Sequence, residues 1–143
     1  AEYVVSEQAL TLSGGVNDGV YRRIRNDAYG ATASVVVTGE DASYKGVVHP
    51  NHPFAIGAPG WGAFELVGRY GRLDIDDDAF PLFADPNKSA ASASSWTIGV
   101  NWYLTGNVKL VANYSQTFFD GGASSSQDRE DERALFTRLQ FSF

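Results

Sequence analysis

Two consecutive stretches of this chain alternate almost without a fault, and the alternation fixes more than the presence of strands. From Trp96 the even positions read Trp96, Ile98, Val100, Trp102 and Leu104, while Thr97, Gly99, Asn101 and Tyr103 fill the odd ones. After Thr105-Gly106-Asn107 the even positions carry Val108, Leu110, Ala112, Tyr114 and Phe118, and the odd ones Lys109, Val111, Asn113, Ser115 and Thr117; Gln116 breaks the apolar parity. Successive side chains of a strand point to opposite faces, so each run is a strand with one apolar and one small or polar face, and the pair reads as a hairpin.

The same period recurs elsewhere. Phe64, Leu66, Gly68 and Tyr70 alternate with Glu65, Val67, Arg69 and Gly71. Tyr29, Ala31, Ala33, Val35 and Val37 alternate with Gly30, Thr32, Ser34, Val36 and Thr38. Leu135, Thr137, Leu139, Phe141 and Phe143 alternate with Phe136, Arg138, Gln140 and Ser142, and the first ten residues give a weaker strand. The spacing predicts six strands, at about 1–10, 26–39, 61–75, 95–104, 107–119 and 133–143, and no segment sustains a helical period. The connections differ in kind. The turn at 105–106 is tight, whereas 76–94 and 120–132 are long, polar loops. Short turns at one end and long loops at the other are the habit of an outer-membrane barrel. Residues 40–60, with Pro50, Pro53 and Pro59, are long where that alternation expects a short turn.

An apolar face can be the core of a soluble antiparallel sandwich or the lipid-facing side of a barrel. Three features favour the barrel. Large aromatics sit near the expected strand ends, with Trp96, Tyr70 and Phe118 at one end and Trp61, Phe64, Trp102, Phe141 and Phe143 at the other. The run from Val108 to Phe118, tilted as barrel strands are, spans roughly 25 Å, the height of a barrel's apolar band. Lys109, Arg69, Glu65 and Arg138 all fall on the polar parity. On a lipid face at mid-depth each Arg or Lys would cost about 2–4 kcal/mol, and in a wet lumen that cost disappears. Arg72 falls on the lipid parity but beyond Tyr70, where the cost drops to about 0–1 kcal/mol. The third feature is the aromatic final strand.

Composition narrows the functions. The 143 residues include no Cys and no Met, which excludes disulfides, thiolate zinc sites and thiol catalysis. The net charge of −6 argues against a nucleic-acid partner. No apolar run reaches the length of a membrane helix. The opening Ala-Glu-Tyr-Val-Val is no signal peptide, and without an initiator Met the chain reads as processed or as a piece of something longer. Bacterial barrels have an even number of strands, at least eight, so six imply further strands outside this chain.

The run Gly62-Ala63-Phe64-Glu65-Leu66-Val67-Gly68-Arg69-Tyr70-Gly71-Arg72-Leu73-Asp74 resembles the Gly-Ala-Trp-Glu…Arg-Tyr…Leu-Asp strand of phosphate-selective porins of the O/P type. Thr97 to Leu104 followed by Asn107-Val108-Lys109-Leu110 resembles that family's hairpin, and Thr38-Gly39-Glu40 resembles its tripeptide before a turn. Phe141-Ser142-Phe143 looks like the signal read by barrel-assembly machinery. The resemblance covers nearly the whole chain. It implies that residues 1–143 are the C-terminal segment of a single sixteen-stranded antiparallel transmembrane β-barrel domain. It further implies a homotrimer in the bacterial outer membrane, in contact with lipid and lipopolysaccharide, passing phosphate or pyrophosphate passively through a basic lumen. No cofactor, metal or enzymatic activity is expected.

For such a pore the candidate anion-pathway residues are Lys109, Arg138 and Arg69 on the polar parity, with Arg22 and Arg25 in a basic cluster near the mouth. Cationic side chains replace part of an anion's hydration shell and must hold it weakly enough to let go. The bland readings are a Lys109 paired with Glu65, an Arg69 neutralised by Glu65 on the same strand face, and an Arg25 paired with Asp27. The expected interface aromatics are Trp96, Trp102, Tyr70, Phe118, Phe141 and Phe143. His49 and His52 lie three apart in a Pro-rich loop without a third ligand, and Asp74-x-Asp76-x-Asp78 lacks the Gly and Glu of a calcium loop. The alternatives are a small eight-stranded outer-membrane barrel with a structural or adhesive role, and a soluble β-sandwich binding module.

Overall fold

In a computed structural model, which describes residues 1–43 and 48–142, the chain is an antiparallel β-meander. Its strands are β1 (Glu2–Thr11), β2 (Tyr21–Val36), β3 (Ala63–Asp74), β4 (Ala90–Tyr103), β5 (Val108–Ala123), a two-residue β6 (Gln127–Asp128) and β7 (Glu132–Phe141). They form one seven-stranded sheet in the order β1-β2-β3-β4-β5, with β6 and β7 both pairing β5. The sheet is open. Short 3-10 turns at Asp77–Ala79 and Ser124–Ser126 lie in two of the connections.

Six strands sit where the alternation places them, but three are longer. β2 starts at Tyr21, β4 at Ala90, and β5 runs on to Ala123. The added segments, Tyr-Arg-Arg-Ile-Arg, Ala-Ala-Ser-Ala-Ser and Asp-Gly-Gly-Ala, carry no apolar alternation, so a period-two reading passes over them. They are held by pairing. Arg25 stands opposite Glu7, Arg23 opposite Ala9 and Arg22 opposite Leu10 across β1 and β2. At the far end of β5, Gly122 and Ala123 pair Asp128 and Gln127. Arg22 and Arg25, which lie before the strand expected at 26–39, are therefore strand residues.

The chain divides into two compact units. The first comprises Ala1–Ala31, Tyr70–Ser95 and Gln116–Glu132; the second comprises Thr32–Arg69, Trp96–Ser115 and Arg133–Phe143. In the first, the Asp76 carboxylate fastens its loop, accepting the Arg25 backbone N–H at 2.7 Å and that of Asp78 at 3.0 Å. These bonds hold Asp76 below the usual carboxylate range. In the second, Val48, Ala63 and Tyr103 are almost wholly buried, with Val36 against them.

The described parts of the long connection between β2 and β3 are thus tied down. Glu40 accepts from the Thr38 hydroxyl and from the Asn51 backbone N–H, which lowers its pKa. The Phe54 N–H donates to Leu104 O at 2.7 Å, and the Gly62 N–H to His52 O at 2.9 Å. Gly62 has φ +78°, and a Cβ there would lie 2.2 Å from Tyr103 O, so only glycine fits.

Candidate functional site

The polar face of the second unit gathers its side chains around one carboxylate. Glu65 projects from β3 on the odd parity, and its neighbours across the ladder are odd-numbered residues of β4. Glu65 Oε2 accepts from Asn101 Nδ2 at 2.7 Å and from the Tyr103 hydroxyl at 2.8 Å. The same Tyr103 oxygen accepts from Lys109 Nζ at 3.2 Å, and the ammonium lies 4.7 Å from the ring centroid, within cation–π range. Lys109 and Glu65 are therefore joined through one phenol rather than by an ion pair. All four side chains are at least half-buried, and the Glu65 carboxylate and the Lys109 ammonium each have a neutral hydrogen-bond partner, which helps to keep charges inside a polar network.

The sequence pattern put these residues on one face but could not supply the bridge. Tyr103 reads as one more large residue at a strand end, and only the strand register sets its hydroxyl between Glu65 and Lys109. The expected neutralisation of Arg69 by Glu65 is not made. Four residues along a strand separate two side chains by roughly 13 Å, whereas Asn101 and Tyr103 sit directly across the ladder.

Arg138 lies on β7 in a groove with Val111, Asn113, Phe136 and Thr137, close enough to Lys109 for their charges to repel. Among the described residues no carboxylate lies within 4.0 Å of Lys109, Arg138 or Arg69. The opposite face of the same unit is apolar and open. Val35, Leu66, Ile98, Val100 and Leu135 line one trough there, each more than a third exposed.

The first unit arranges its charges otherwise. Tyr29 and Tyr70 touch at 6.2 Å, which puts odd residues of β2 and even residues of β3 on one side. Arg25 falls on that side, 3.6 Å from Asp27, as its bland reading expected, while Tyr3 donates to Asp27 at 2.5 Å. Arg72 grips Asp74 with both Nε and Nη2 and reaches the Ser92 hydroxyl at 3.3 Å. These charges line a polar hollow with Asp76, Asp77 and Asp120. With Arg72 on Asp74 and two backbone N–H groups on Asp76, the Asp74-x-Asp76-x-Asp78 run is committed to the protein's own donors. Arg22 turns back onto the Tyr21 carbonyl at 2.9 Å.

Of the expected interface aromatics, Trp96 stands well inside β4, 5.5 Å from Tyr114, because the Ala/Ser segment extends that strand past it. Phe118 likewise lies inside β5 rather than at its end, and Tyr70 and Phe141 are exposed. Trp102 stacks on Phe64 at 5.6 Å. Phe143 lies outside the described residues.

A family model described as phosphate-selective porin O and P matches residues 2–143. Porin O of Pseudomonas aeruginosa is 28% identical over 134 residues, which cover 89% of this chain and 29% of that relative. The chain therefore spans less than a third of the length of the curated relative it matches.

Proposed function

The chain belongs to the phosphate-selective porin O and P family, and from that premise we propose that it is the C-terminal segment of an outer-membrane β-barrel that admits phosphate-type anions by passive diffusion. The remaining strands of a sixteen-stranded barrel, assembled as a homotrimer, lie elsewhere in the polypeptide, consistent with the 29% of the relative's length that the match covers. The pore does no bond chemistry, so no enzymatic step is assigned.

The observation that carries this reading is the division of the second unit into an open apolar face and a hydrogen-bonded face bearing Lys109 and Arg138. Placed against acyl chains, the first face needs no partner. Placed against water, the second keeps two cations available. A phosphate or pyrophosphate passing Lys109 meets an ammonium already half-satisfied by Tyr103, so the contact is shallow and the ion leaves readily. Arg138 adds a planar donor a short hop away, and the mutual repulsion of the two cations is relieved when an anion arrives.

The test is planar-bilayer conductance of the full-length protein. The expected result is an anion-selective chloride current that phosphate and pyrophosphate block in a saturable way. A current indifferent to both would remove the substrate assignment, and a cation-selective current would remove the anion pathway.

A further inference from the structure

Residues 53–61, Pro-Phe-Ala-Ile-Gly-Ala-Pro-Gly-Trp, contain no charged side chain. They form the tip of the 37–62 connection, and they are its most apolar stretch. Ile56 at the apex is 97% exposed and Trp61 68% exposed. An isoleucine left bare at a loop apex gains nothing in water.

The tip is also not free to swing. Phe54 packs edge-on against Trp102 at 5.6 Å and touches Trp61 at 6.4 Å, and Trp102 in turn stacks on Phe64. Trp102 and Phe64 belong to the apolar parity of β4 and β3. The 53–61 stretch therefore continues the open apolar face of the second unit beyond its strands, whereas Val48, earlier in the same connection, packs on Tyr103.

Part of its backbone is held by bonds to the rest of the unit. Pro53 and Pro59 have no N–H to satisfy. Phe54 and Gly62 donate to Leu104 and His52, Ala58 donates to Ala55 O at 3.2 Å, and Trp61 O accepts the Trp102 indole N–H at 2.6 Å. An exposed, uncharged, aromatic-flanked segment has the chemistry of the headgroup boundary of a bilayer, where tryptophan is enriched and enough water remains to serve the other backbone donors.

We infer that the 53–61 tip is a membrane-surface anchor that inserts Ile56 and Trp61 into the phospholipid boundary at the short-turn end of the barrel. The inference rests on the barrel reading above. A second copy of the chain is the rival occupant, and the test separates the two.

A single nitroxide is placed on the full-length protein at Ile56 through I56C, with a second preparation labelled at V16C. Val16 is fully exposed in the polar 12–20 turn. Both are reconstituted in phosphatidylcholine vesicles, and collisions with oxygen and with a water-soluble nickel chelate are compared by electron paramagnetic resonance. The expected result is an oxygen-to-nickel accessibility ratio several-fold higher at position 56 than at position 16. A nickel accessibility at 56 equal to that at 16 would overturn the inference. So would a label shielded from both reagents, which means protein contact. Phosphate-blockable conductance is measured on the same preparations, so a failed anchor in a working porin is distinguished from a failed porin.

Discussion

The two units handle charge in opposite ways. In the first, cations meet carboxylates directly. Arg72 grips Asp74, Arg25 stands beside Asp27, and Arg129 pairs with Glu132 and lies over the Phe119 ring. In the second, Glu65 and Lys109 are separated by a phenol, and Arg138 has no carboxylate within 4.0 Å among the described residues. The difference follows from what surrounds each group. Exposed pairs are screened and hold little energy, so they can form wherever sequence brings them together. Half-buried charges need fixed partners, and those partners set what the charges can still attract. Direct pairing cancels a cation, whereas pairing through a hydroxyl leaves much of its field available.

The largest expected effect sharpens the contrast in packing. Gly62→Ala forces a Cβ into Tyr103 O at a left-handed backbone position and should cost more than about 2 kcal/mol, read as a lowered urea midpoint of the detergent-folded protein. Gly14→Ala in the first unit meets open space at φ +86° and should cost about 1 kcal/mol from backbone strain alone. Equal losses would mean that the connection is not pinned at Gly62.

Lys109→Glu is expected to lower the anion-to-cation permeability ratio several-fold, read as a shift of reversal potential in a salt gradient. Glu65→Gln should raise that ratio by removing the opposing charge. If both leave the reversal potential unchanged, the network on this face has no part in conduction. Tyr103→Phe removes both bonds of the bridging hydroxyl, to the Glu65 carboxylate and from the Lys109 ammonium, and should lower stability by about 2 kcal/mol, with a smaller change in selectivity than either charge substitution.

Acidification should erode both units weakly. Glu40, Asp76 and Asp85 all have their pKa lowered in the folded chain by hydrogen bonds they accept. A depressed carboxylate stabilises the fold above its unfolded value, near pH 4, and that contribution fades as pH falls through the lower folded value. The urea midpoint should hold from pH 7 to about 5 and decline below about 4, and Asp76→Asn should reduce the decline. The smallest effect is expected from Arg72→Met. It removes a partly exposed, bidentate ion pair with Asp74, and its urea midpoint should fall by the equivalent of no more than about 0.5 kcal/mol.

The alternation made the apolar faces legible from Tyr29 to Val37, from Phe64 to Tyr70 and through both strands of the 96–118 hairpin. In those segments the environment on each side of the sheet differs sharply, and side chains record it. Ala90–Ser95 and Tyr21–Arg25 carry no such period, although Ile24 is buried, and only the partner strand reveals the structure there. The site follows the same rule. The parity of Lys109, Arg138 and Glu65 could be read directly. The phenol joining two of them could not, because a hydrogen bond between neighbouring strands depends on register, which one strand's pattern does not contain. The 37–62 connection shows the remaining gap, since its fixity comes from Gly62 fitting against Tyr103, a contact between distant positions.

The 12–20 turn has a practical consequence. It is closed at its base by Leu12 and Val20, with the Gly14 N–H on Asp18, and nothing approaches Gly14 or Gly15 within 4 Å of where a side chain would grow. A short epitope threaded between those two glycines should be carried without disturbing the strands. On intact bacteria, antibody staining of that epitope would report which way this end of the polypeptide faces.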